Sequence, residues 1–172
     1  VYYDGIVKKE WCVATRSVPE ASQKINHDFY NGSYRDLFEQ TLRVKGIPFE
    51  ELTQRLSVNH TYVFELVSEY NQQVCKYPKP DIIFLACVET NTGEEFLIES
   101  IDFPSEIHKA STIPIIDHDK MIEYINSLPP SESEGIVLVK RDGNRILGRI
   151  KIKSDDYKYA HGMKSSIESS KR

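Results

Sequence analysis

Glu134-Gly135-Ile136-Val137-Leu138-Val139 and, past the turn pair Asp142-Gly143, Arg149-Ile150-Lys151-Ile152-Lys153-Ser154-Asp155-Asp156-Tyr157 together spell a β-hairpin. Residues two apart in a strand share a face. Lys151 and Lys153 therefore form a two-ammonium prong on one side, and Ile150 and Ile152 lie on the other. Glu134 opens the neighbouring strand, while Asp155, Asp156 and Tyr157 close the second. Paired cations beside a carboxylate suit a nucleoside triphosphate and its metal. Lysines grip phosphate, and a carboxylate draws in a hard divalent cation. The bland alternative is a solvated strand face.

Upstream of the hairpin, the pattern alternates between short strands and a few helices. Asp81 to Val88 is a nearly continuous apolar run, as expected of a central strand buried on both faces. Thr61 to Val67 and Gln73 to Tyr77 are β-rich. Asn91-Thr92-Gly93 is a turn leading into a strand over Glu95 to Glu99. Ile6 to Thr15 reads as a hairpin turning at Lys8-Lys9-Glu10, after a strand-and-turn at Val1 to Gly5. Ser17 to Gly32 is polar and without a period.

Ser33 is placed to cap a helix carrying Leu37, Phe38, Thr41 and Leu42 on one stripe and closed by Gly46. Pro48 opens a second helix through Leu56. Asp117 or Asp119 caps a third, with Met121, Ile122, Ile125 and Leu128, stopped by Pro129-Pro130. Hairpins with inserted helices argue an α+β fold. Residues 1–162 are expected to form one unit lacking some upstream residues. Residues 163–172 read as a frayed tail leading to an absent C-terminal segment.

The bulk properties narrow the function. The chain has 172 residues and a net charge of −4, so no global basic field holds a polyanion and any nucleic-acid contact must be local. Cys12, Cys75 and Cys87 are too widely spaced for a zinc site and point to a reducing, cytoplasmic compartment. No apolar run is long enough to span a membrane, so no membrane partner is expected. His27, His60, His108, His118 and His161 show no ligand spacing. There is no Walker-type or Rossmann glycine motif.

Two further residues stand out. Glu65, in Phe64-Glu65-Leu66-Val67, is costly to bury unless paired or bound, and it could line a nucleotide pocket or simply face solvent. Arg16, at a strand end, could clamp phosphate or lie free on the surface.

In order along the chain, these pieces resemble the covalent nucleotidyltransferases, and most closely the ATP-dependent RNA ligases of the phage T4 RNA ligase 1-like family. Asp4-Gly5 resembles the end of the motif KxDG, and Ala14-Thr15-Arg16-Ser17 the basic strand end after it. Phe64-Glu65-Leu66-Val67 with Asn71 resembles the next motif. Ile82 to Val88, followed by Glu89-Thr90-Asn91-Thr92-Gly93-Glu94, resembles the apolar strand and turn that follow. Glu134-Gly135 resembles the EG motif. Lys151-Ile152-Lys153-Ser154-Asp155-Asp156-Tyr157 resembles KIKSDxY, and Lys164-Ser165-Ser166 the segment beyond it.

The resemblance implies a nucleotidyltransferase (ligase adenylation domain) fold of antiparallel sheets with flanking helices. It implies lysyl-AMP formation from ATP, transfer of AMP to a 5′-phosphate RNA end, and sealing by a 3′-hydroxyl, in RNA or tRNA repair. Lys151 and Lys153 would contact the phosphates and Glu65 the ribose. Phe84 on its strand would back the adenine, and Asp4, Gly5 and Arg16 would complete the nucleotide site. Glu134 would hold Mg2+ (or Mn2+), and Tyr157 would support the site. A monomer is expected.

The departures are specific. The nucleophilic lysine implied two residues before Asp4 is absent, and Tyr2 stands there. A lysine between Tyr2 and Tyr3 would restore KYDG. Omission from the sequence, substitution and a dead relative compete as explanations, and omission is the expectation. Asn71-Gln72-Gln73-Val74 lacks the arginine of the corresponding family string. A DNA ligase or capping-type enzyme is the alternative within the superfamily. A catalytically dead nucleotide- or RNA-binding module is the alternative outside it.

Overall fold

The computed structural model describes residues 1–114, 117–143 and 145–169. Its first helix begins where the sequence supplies a cap. Ser33 accepts from the Asp36 amide while Asp36 reaches back to the Ser33 amide, a reciprocal box that starts α1 (Tyr34–Val44). Gly46, at φ +82°, turns the chain out after it. Leu37, Phe38, Thr41 and Leu42 form the buried stripe. Pro48 then opens α2 (Phe49–Gln54).

The stripe packs on a mixed sheet. β3 (His60–Val67) pairs antiparallel with β4 (Asp81–Glu89), and β4 pairs with the two-residue β5 (Glu95–Phe96). A short 3-10 turn, Ile98–Ser100, follows in place of a longer strand. β6 (His108–Lys109) lies parallel to β4. The antiparallel hairpin β7 (Gly135–Asp142) and β8 (Arg145–Lys153) joins through β5, giving the order β3-β4-β5-β8-β7. That junction is narrow, with the single pair Phe96↔Arg145. The architecture is therefore α+β with mainly antiparallel pairing.

The core lies between α1, α2 and one face of β3 and β4. Leu42, Leu52, Ile82 and Phe84 have no exposed surface. Burying a side chain of this kind contributes roughly 1.5–3 kcal/mol. Phe84 stacks on Phe103 at 4.4 Å, and Phe64 meets Phe84 at 5.6 Å. No residue of β4 is exposed, which fits a central strand.

Several expectations need correction. The N-terminal hairpin is β1 (Tyr2–Asp4) with β2 (Glu10–Cys12), so Ile6 sits in the turn, 91 % exposed. Gln73 to Tyr77 is a loop rather than a strand. Its backbone is tied sideways, with the Lys76 amide donating to Ser131 O. Asp117 caps α3 (His118–Ser127), which buries Met121 and Ile125 but leaves Ile122 exposed. The second strand of the hairpin stops at Lys153, because Ser154 accepts from the Tyr157 amide and starts α4 (Asp155–Ser169). The tail is thus helical from 163 to 169, and 170–172 lie outside the described residues. Asn144, beside the hairpin turn, lies outside them as well. No helix among the described residues is long and apolar enough to cross a membrane.

Candidate nucleotide-phosphate site

Gly135 fixes where Glu134 stands. Its φ of +141° is open to glycine and rarely to other residues, and a Cβ there would meet Ile152 O at 2.0 Å. The strands can approach this closely only with glycine at that position. Pairing continues on both sides, with Ser154 N donating to Glu134 O and Gly135 opposite Lys153. Glu134 is thereby held at the mouth of the hairpin, beside the first residues of β7 and the last of β8.

Lys151 and Lys153 converge on it. Their ammonium nitrogens lie 2.5 and 3.3 Å from Glu134 Oε2. The buried Oε2 has charge around it but no well-aligned hydrogen bond. Lys153 also sits 4.8 Å over the ring of Tyr157, which is 1 % exposed. Burial pushes the Glu134 carboxyl up, but Lys151, Tyr157 and Lys153 outweigh it and hold it below the usual range. Burial first, and then the Glu134 carboxylate, push the Tyr157 phenol well above its ordinary value.

The cluster borders an open cavity of about 170 Å³ lined by Glu65, the 71–75 loop, Tyr77, Glu134 and Tyr157. The cavity is smaller than the roughly 300–1,000 Å³ of typical small-molecule pockets. The loop folds over it because Ser68 and Asn71 close the end of β3. Ser68 donates to Asn71 Oδ1, and Asn71 Nδ2 donates back to Leu66 O. Cys75, donating to Pro130 O, holds the loop to the segment before Glu134.

Glu65 is open on one side and crowded on the other. Burial raises its carboxyl, Lys151 draws it down, and Glu134 adds to the rise. Tyr77 is pushed up to about 12 by burial, by Cys75 and by the two glutamates. Two carboxylates and two phenols thus line the cavity, and the two lysines sit beside it on Glu134. Such a group can receive phosphate oxygens on the lysines and a hard cation on the carboxylates.

The structure gathers Glu65, Glu134, Lys151, Lys153 and Tyr157. It does not bring the other expected residues there. Phe84 points into the core with no exposed surface, so it cannot back an adenine. Ile83 is the β4 residue opposite Glu65 in the register. Val1 and Tyr62 exchange both backbone hydrogen bonds, an antiparallel pattern that sends β1 away from Glu65. Asp4 instead accepts from the Ile6 and Val7 amides, and those bonds lower its carboxyl pKa. Asp4-Gly5 is a turn. Arg16 is exposed beyond β2 and forms no ion pair with the cluster among the described residues.

Sequence reasoning missed Tyr77, Cys75 and the bidentate Arg149–Glu95 pair, in which Arg149 Nε lies 2.8 and 3.1 Å from the two carboxylate oxygens. The one available signal was that Arg149 precedes Lys151 by two and so shares its face. No family model and no curated protein matches the chain.

Proposed function

We propose that this chain is the adenylyltransferase core of an ATP-dependent RNA ligase acting on 5′-phosphate and 3′-hydroxyl RNA ends in the cytoplasm. One observation carries the reading: Lys151 and Lys153 meet on Glu134 beside Glu65 and Tyr157. Phosphoryl-type transfer asks a protein mainly for charge neutralisation and positioning, and this cluster supplies both. Lys151 and Lys153 leave Glu134 for phosphate oxygens. Tyr157 holds Lys153 from beneath, and Glu65 accepts from the ribose.

Among the described residues no group of three or more metal-ligating side chains occurs. Glu134 would nevertheless serve a magnesium ion that takes its remaining ligands from water and phosphate, as such ions do. Bound there, the ion would supply charge neutralisation.

A second reading has support in the β1 geometry. Tyr2 at the expected lysine position, and a β1 that runs away from Glu65 with Asp4 bonded into its own turn, favour a nucleotide-binding module without a covalent step.

The test has two parts. ATP with magnesium should raise the melting temperature of the chain. A chain carrying a lysine inserted between Tyr2 and Tyr3 should then gain the mass of one AMP. Stabilisation without an adduct selects the binding module. Absence of both defeats the proposal.

A further inference from the structure

The charge of this chain is not spread evenly. Between Gly135 and Lys153 lie six of its 22 Lys and Arg residues but only one of its 26 Asp and Glu residues. The rest of the chain therefore carries 16 against 25, so a basic arm projects from an acidic body.

Register places the charges. Lys153, Lys151 and Arg149 sit opposite Gly135, Val137 and Val139, and Arg141 follows two residues further along β7. Lys153, Lys151 and Arg149 share one face, and Arg141 lies just past a register shift between Lys140 and Arg141. At roughly 3.3 Å per residue, the line from Gly135 to Arg141 runs about 20 Å. Lys151 and Lys153 are engaged by Glu134, and Arg149 by Glu95.

Arg141 is different. With Lys140 and Arg145, it stands exposed near the tip of the hairpin, where Asp142 lies opposite Arg145, and it makes no ion pair among the described residues. Val137 and Val139, 47 % and 42 % exposed, are interleaved with the cations. Guarding an edge strand requires charge, but mixed signs would serve that purpose and keep the surface soluble. An arm of six cations and one acid, Asp142, spread over both the edge and the inner strand favours a polyanion.

We propose that the outer half of this hairpin, Lys140, Arg141 and Arg145, binds the sugar-phosphate backbone of the RNA strand whose end enters the Lys151–Lys153–Glu134 cleft. The identity of the strand rests on the ligase reading above. Arg141, Lys140 and Arg145 extend the cationic surface from the cleft to the tip of the hairpin. The valines offer ribose and base surface between the charges.

The experiment compares the wild-type chain with the combined variant Lys140→Thr, Arg141→Thr, Arg145→Thr. Threonine keeps β-propensity at exposed positions. Binding of a fluorescent 5′-phosphorylated single-stranded RNA is followed by anisotropy across a salt series. Each lost phosphate contact on a single strand lowers the log–log salt slope by about 0.7. The variant should therefore lose about 2 in slope and roughly tenfold or more in affinity at low salt. Its ATP-induced thermal shift should equal that of the wild type. Unchanged affinity and slope would overturn the proposal, as would polyglutamate of matched charge competing as well as RNA. A wild-type chain that shows the RNA effect but no ATP shift keeps the arm and sinks the ligase reading. An ATP shift without the RNA effect does the reverse.

Discussion

Replacing Gly135 with alanine should damage both the fold and the cleft, and the structure sets the size of the effect. The φ of +141° is a conformation that L-residues hold at a cost of about 1–3 kcal/mol. The new Cβ would also meet Ile152 O at 2.0 Å and Lys153 Cα at 2.8 Å. Both are backbone atoms, so no side chain can swing aside. β7 and β8 must part at the Gly135↔Lys153 pair, losing ladder hydrogen bonds worth about 0.5–1.5 kcal/mol each. A total of about 3 kcal/mol corresponds to a fall of roughly 6–12 °C in melting temperature for a chain of this size. Gly148→Ala, on the same hairpin, is the control. It has nothing within 4 Å and no positive φ, so its effect should stay within about 0.5 kcal/mol. Thermal unfolding followed by circular dichroism compares the two, and ATP-induced shifts report on Glu134. Equal melting temperatures for Gly135→Ala and Gly148→Ala would refute the claim that glycine is needed to seat Glu134.

Lys151→Ala and Lys153→Ala should each weaken ATP binding severely, because each removes a charge-assisted contact worth about 1.5–3 kcal/mol. Asp156→Ala, on the exposed first turn of α4, should matter far less; calorimetric titration with magnesium-ATP ranks the three, and normal binding by either lysine variant sinks the phosphate role. Glu65→Gln should stabilise the protein increasingly as pH rises. Its folded pKa is raised, so the wild type holds its full contribution below the unfolded value of 4.5 and loses it as pH climbs through the folded pKa. A melting-temperature difference that stays flat from pH 4 to 7 counts against that environment. Glu134 has the opposite sign: its pKa is depressed, so its contribution is present above 4.5 and lost as pH falls through the folded value. Glu134→Gln should therefore flatten the acid limb of the stability profile, and an unchanged limb would contradict the ion pairs. Arg149→Ala should free the hairpin from β5, since the Arg149–Glu95 pair supports a junction of one strand pair. Hydrogen exchange over 135–153 should accelerate while β3 and β4 stay protected.

The elements with a local chemical signal were legible from sequence. Ser33 with Asp36 and Gly46 bracketed α1, and the strict two-residue spacing put Lys151 and Lys153 on one face with no knowledge of the partner strand. What failed needed tertiary information. An apolar run such as Ile82 to Val88 does not say which residues face the core. A register shift between Val63 and Phe64 further decouples alternation from facing, and Phe84 falls inward. Gln73 to Tyr77 has strand-like composition, yet the ties to Pro130 and Ser131 hold it as a loop over the cavity. Ser154-Asp155-Asp156 continues a strand on paper. A serine followed by acids is equally a helix start, and the cap decided it.

Glu134 steadies the two lysines by itself. Two ammonium groups two residues apart on one strand repel each other, and a carboxylate between them offsets that repulsion and holds both chains in the cleft. The association is shallow. The Lys151 side chain is 52 % exposed, and ion pairs at that exposure are worth only about 0–1 kcal/mol. Charge-assisted hydrogen bonds to phosphate run to about 1.5–3 kcal/mol each. On the proposed function, an entering phosphate would take both lysines from Glu134 at a net gain and would leave the carboxylate facing the accompanying cation. The contacts that hold Lys151 and Lys153 on Glu134 are thus weak enough to be exchanged for stronger ones.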